Sequence, residues 1–230
     1  MSSAVTAQIN PNGSVTVSNG ITSKNISIKD YVSEIRKLLD EQDSQDISGK
    51  TFKFPSSIHS MSSNSNGYIV NLYYPEREAE LTHVSAGTHT VYMPNVMIRV
   101  SLRKVNGSDD SFSLGNIHWY ATDKEAIALP AEWPSGECTR NHIWTLPFPN
   151  MFGGATMCTG GNVLPSVIYD DWTVLDMLYY DVLLGSPFNN DLSVRSINTG
   201  HSPGGWIQYL GEYYQREDTD RFPYHDLVNY

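Results

Sequence analysis

The chain has 230 residues, enough for one sizeable hydrophobic core with appended elements. It is acidic, with 15 Lys and Arg against 25 Asp and Glu and a formal net charge of −10, a field that repels phosphate backbones and argues against nucleic-acid binding. The first twenty residues are polar, without the apolar stretch of an export signal, and no apolar run reaches membrane-spanning length. A cytoplasmic location without membrane association is therefore expected, and Cys138 and Cys158 are expected to stay thiols. With no Cys-x-x-Cys and no His/Cys cluster, neither a metal site nor a cofactor is expected. Acidic stretches at 76–80 and 217–220 read as solubilising surface charge.

In chain order, residues 4–17 alternate loosely around Asn12-Gly13 and predict a β-hairpin. Ser27 opens a predicted helix whose apolar stripe is Ile28, Tyr31, Val32, Ile35, Leu38 and Leu39, with Ser27 and Asp30 as a capping pair. Residues 43–50 are loop-like, and the Ser/Asn-rich run 60–67 predicts a mobile turn. Strands are predicted at 68–74, 88–93, 96–103 and 112–121, with Asn106-Gly107 turning between the last two. Short polar turns between them imply an antiparallel meander. Residues 123–145, with Pro130, Pro134 and Gly136, read as irregular. A second helix is predicted at 172–184, with Leu175, Leu178, Val182 and Leu183 on one side, and a third at 204–216. Strands in the middle with helices before and after define an α+β class.

The chemistry concentrates between Leu146 and Gly160, where the chain reads Leu-Pro-Phe-Pro-Asn-Met-Phe-Gly-Gly-Ala-Thr-Met-Cys-Thr-Gly. A thiol can hold an acyl group as a thioester, and an amide can donate to the oxyanion formed when that thioester is attacked. Glycines on both sides of Cys158 predict an exposed loop rather than a packed strand. A buried structural cysteine is the alternative, as a turn-shaping role is for Asn150. His118, His142, His201 and His225 stand isolated in sequence and read as structural or surface residues.

This stretch resembles the active-site signature of ubiquitin-conjugating (E2) enzymes: His-Pro-Asn, a glycine-containing turn and the catalytic cysteine. Cys158 follows Asn150 at the family's spacing, while Phe148 stands where the family usually has His. Asp171-Trp172 looks like the entry to the helix behind the E2 active site, and residues 186–192 look like the loop ending in an acidic residue, here Asp191. A weaker echo lies around Tyr92-Met93-Pro94. The resemblance covers residues 146–192 and is nearest to bacterial E2-like proteins, including family D and the B protein of PRTRC-type operons. It implies an E2 (UBC)-like core with an N-terminal hairpin and inserted segments. Residues 1–230 then form a single domain: a β extension at 1–26, a core at 27–200 and a helical tail at 201–230. Catalytic Cys158, Asn150 as oxyanion donor and Asp191 orienting the nucleophile are what the resemblance implies. So are three partners, an E1-like adenylating enzyme, a ubiquitin-like protein and a JAB-type peptidase from the same operon, and a plasmid-associated or antiviral setting. A non-catalytic E2-like adaptor is the second reading. A cysteine peptidase is a third, and it requires a histidine base beside Cys158.

Overall fold

A computed structural model describes residues 6–10, 14–18, 23–27, 30–31, 52–108, 110–123, 143–194, 197–216 and 221–227. The strands are β1 (Thr6–Ile9), β2 (Ser14–Ser18), β3 (Ser23–Ser27), β4 (Ile58–Asn64), β5 (Gly67–Tyr74), β6 (Arg77–His83), β7 (Gly87–Met93), β8 (Asn95–Lys104), β9 (Phe112–Thr122) and β10 (Ile143–Thr145). The pairings β1–β2, β1–β4, β2–β3, β4–β5, β6–β7 and β9–β10 are antiparallel. With few helices beside them, the class is α+β, as expected. The residues group into two compact units, and β5, β8 and β9 contribute to both.

In the first unit (1–72, 100–116, 165–175) the strands run in the order β9-β8-β5-β4-β1-β2-β3. The N-terminal hairpin forms, with Ile9 opposite Val15. The Asn12-Gly13 turn itself lies outside the described residues. Residues 60–67 are not a loose turn. Most of them belong to β4, which pairs with β1 and β5, and only Ser65 and Asn66 make the reversal. Serine and asparagine lower strand propensity, yet here they bond across the sheet, Asn71 Nδ2 donating to Ser60 Oγ at 2.8 Å. Ser27 ends β3 and caps the next segment as expected: its hydroxyl bonds the Asp30 carboxylate at 2.7 Å and accepts from the Asp30 N–H at 3.0 Å. The rest of the first predicted helix, and the loop at 43–50, lie outside the described residues. Trp172 is buried against the edges of Phe54, Tyr68 and Phe112, whose ring centroids lie 5.2, 5.4 and 5.5 Å away.

In the second unit (73–99, 117–164, 176–230), β6 and β7 form their own two-stranded sheet. This corrects the expected uninterrupted meander: the strand at 87–93 pairs with β6, and β8 has β5 and β9 as neighbours. The sequence reading missed β6 because Glu76, Glu78 and Glu80 mask its alternation, in which Leu81 and His83 point inward. The predicted helix at 172–184 is irregular, a 3-10 turn (Trp172–Asp176) followed by a π-helix (Leu178–Leu184). Its expected apolar face is buried throughout, and Tyr179 stacks on Tyr74 at 4.0 Å.

The third helix forms at Pro203–Tyr214. Ser202 caps it by accepting the Gly205 N–H at 3.1 Å, and Pro203 sits at the first turn, where no amide bond is lost. The helix packs on the β6–β7 sheet. A Cβ at Gly211 would fall 2.9 Å from the His89 ring, so this close approach requires glycine. Trp206 is fully buried, and its indole N–H donates to the Pro147 carbonyl at 2.6 Å. Tyr209 donates to Asp226 at 2.7 Å; burial, with that carboxylate beside it, pushes the phenol up to about 12. Among the described residues no helix is long and apolar enough to cross a membrane.

Candidate active site

The site is built by the chain leaving β10. Ile143 pairs with Thr122, and Leu146 N–H then bonds the Trp119 carbonyl at 3.2 Å, so the segment runs along β9. Every residue from Leu146 to Met151 is buried. Phe148, in the position where the resembled family has His, is fully buried and stacks on Phe188 at 5.9 Å. An imidazole there would bring a polar ring into an apolar slot. Phe148→His is therefore expected to cost about 2 kcal/mol, measured as a lower urea midpoint. An unchanged midpoint would show that the slot tolerates a polar ring.

Beyond Asn150 the chain folds back on itself. Met151 and Met157 face each other, flanked by Phe152 N–H to Thr156 O at 2.8 Å and Cys158 N–H to Asn150 O at 2.8 Å. This register sets Asn150 directly opposite Cys158. The two methionines turn inward, while Phe152 and Cys158 are exposed. Cys158 is a free thiol. The expected exposed loop thus forms, and the residues that carry the thiol and the amide, eight positions apart in sequence, are joined across the hairpin by a backbone hydrogen bond, with Asn150 buried and Cys158 exposed. Cys138 lies outside the described residues.

Three residues here adopt left-handed backbone conformations: Asn150 (φ 67°), Gly154 (φ 72°) and Ala155 (φ 58°). Glycine takes this conformation without strain, whereas Asn tolerates it and Ala resists it. Ala155 is held by burial against Met97, Tyr120 and Ile143. Asn150 therefore shapes the backbone at the point where the hairpin opens, the turn role its sequence allows.

Asp191 lies on a separate exposed loop. Asn189 grips it at both ends, Nδ2 donating to the Asp191 carboxylate at 2.8 Å and Oδ1 accepting its N–H at 2.9 Å. That loop is tied to the β6–β7 turn by Val84 N–H to Phe188 O at 2.9 Å. Near its start, Ser186 accepts a hydrogen bond from Asn162 Nδ2, and Asn162 also holds the Thr159 carbonyl at 2.9 Å. A side-chain link thus runs from the residues just after Cys158 to the segment carrying Asp191. The structure joins the two loops in this way and pairs the Asp191 carboxylate with Asn189.

Two contributors escape the sequence reading. Asn162 belongs to the Cys-Thr-Gly-Gly-Asn continuation that resembles bacterial E2-like proteins, but no role follows for it from the sequence. His118, isolated on β9, turns its Nδ1 to the Gly154 carbonyl at 2.9 Å, at the tip of the hairpin. The β-alternation of β9 puts it on the same face as Tyr120, on which its ring stacks. His142 lies outside the described residues. Among the described residues no group of three or more His, Cys, Asp or Glu is placed to hold a metal ion. Compared with known proteins, the chain matches no family model, no curated protein and no solved structure.

Proposed function

We propose that the chain is an E2-like carrier that holds a ubiquitin-like protein as a thioester on Cys158. The observation that supports this reading is the ladder that sets the exposed thiol opposite Asn150. In the first step the Cys158 sulfur attacks the thioester carbonyl on an E1-like enzyme. A new C–S bond forms, the old one breaks, and the departing thiol takes the proton. Exchange of one thioester for another is nearly energy-neutral, because the bond that forms and the bond that breaks are of the same kind. ATP is consumed by the adenylating enzyme. In the second step a target amine or hydroxyl attacks the carbonyl, Cys158 leaves as a thiol and the nucleophile loses its proton. The Asn150 amide donates to the transient oxyanion, and Asp191 orients the incoming nucleophile. An E2-like core around this site and a reducing cytoplasmic setting belong to the same proposal.

Cys158→Ser tests the covalent role. With the E1-like enzyme, the ubiquitin-like protein and ATP, the variant is expected to give either a reductant-resistant oxyester or no adduct. Serine in place of the sulfur changes the bond, so a reductant-sensitive adduct on this variant would place the thioester elsewhere.

A further inference from the structure

We infer that His118 is a positioning residue that fixes the hairpin between Asn150 and Cys158; the inference rests on the proposed role of that pair. Three of the nine residues from Asn150 to Cys158 are left-handed, two of them not glycine. Such conformations persist only where the surroundings over-determine them. The base of the hairpin is set by its two ladder bonds and the buried methionines. The tip has an internal bond, Thr156 Oγ1 to Gly153 O at 3.2 Å, and the packing of Ala155 on Tyr120 and its neighbours. His118, on β9, reaches the tip carbonyl from another strand.

A carbonyl oxygen only accepts, so Nδ1 of His118 carries the proton and donates to Gly154. The bond spans 36 positions in sequence and connects a strand of the sheet to the left-handed tip. Tyr120, two residues on, stacks at 6.3 Å on the His118 ring and packs in the cluster that holds Ala155. One face of β9 therefore grips two consecutive tip residues, Gly154 through its carbonyl and Ala155 through its methyl. With the tip held, the ladder below it keeps Asn150 opposite Cys158. Releasing Gly154 lets the hairpin open from its tip, and the backbone register of Asn150 against Cys158 is lost in a fraction of molecules.

Isosteric variants separate the donor from the ring. Asn at position 118 places an N–H donor at the same δ position, whereas Asp has the same shape and offers only acceptors. His118→Phe keeps a ring to stack on Tyr120 and removes the donor. Hydrogen exchange at the Phe152 and Cys158 amides, which make the ladder bonds, reads the hairpin without any partner protein. His118→Asp and His118→Phe are expected to exchange these amides about fivefold faster, while His118→Asn stays near wild type. In single-turnover assays the same two variants are expected to charge normally and discharge about fivefold more slowly, with His118→Asn again near wild type. Equal exchange in all four proteins, or His118→Asn behaving like His118→Asp, overturns the positioning role. The exchange readout needs no charging, so it can fail while the carrier reading stands. Conversely, a protein that never charges but shows the exchange pattern retains the tether and loses the carrier reading.

Discussion

Asn150→Gly is expected to slow discharge of the Cys158 thioester by about a hundredfold while the protein folds normally. Glycine is the decisive substitution because Asn150 has φ 67°. It keeps the left-handed backbone without strain and removes only the amide. Asn150→Ala is expected to lose the same activity and in addition about 1 kcal/mol of stability, because a methyl lacks the local hydrogen bonding by which an Asn side chain tolerates this conformation. Were turn formation the whole role of Asn150, the glycine variant would discharge at the wild-type rate and only the alanine variant would suffer. Single-turnover discharge onto free lysine, beside urea denaturation of both variants, separates the two roles.

Trp206→Ala is expected to cost about 4 kcal/mol, the largest loss of stability foreseen for a single change here. The indole is fully buried, and its N–H donates to the Pro147 carbonyl, three residues before Asn150. Trp206→Phe keeps most of the apolar contact but leaves a buried carbonyl without its donor, for about 2 kcal/mol. The C-terminal helix is thereby an anchor for the segment that carries the site. A helix that packed only for itself would lose stability without moving the loop. Here the phenylalanine variant is expected also to raise hydrogen exchange at Cys158. An unfolding free energy from urea denaturation within about 1 kcal/mol of wild type for the alanine variant would contradict this anchoring.

What could be read from the sequence follows what each element depends on. The hairpin at the N-terminus, the Ser27–Asp30 cap and the helix at Pro203–Tyr214 rest on local signals, and all three were legible. The apolar face of the segment 172–184 was legible too, because burial follows side-chain spacing. Its 3-10 and π geometry was not, because the hydrogen-bond offset leaves no mark on that spacing. β4 and β6 were missed where Ser, Asn and Glu outweigh β-branched residues and pairing with neighbouring strands decides the outcome. At the site, the Asn150 to Cys158 spacing was visible, and the glycines foretold exposure. The contacts of His118 with Gly154 and of Asn162 with Ser186 join positions 36 and 24 residues apart, which no local pattern encodes.

The most direct test of the central claim is a charging assay. The protein is mixed with the E1-like enzyme, the ubiquitin-like protein and ATP, and resolved on gels with and without reductant, with Cys158→Ala and Cys138→Ala alongside. The carrier reading requires an ATP-dependent, reductant-sensitive adduct that Cys138→Ala retains and Cys158→Ala lacks. Failure of the wild-type protein to charge while the E1-like enzyme itself is charged, or full conjugation by Cys158→Ala, would contradict it.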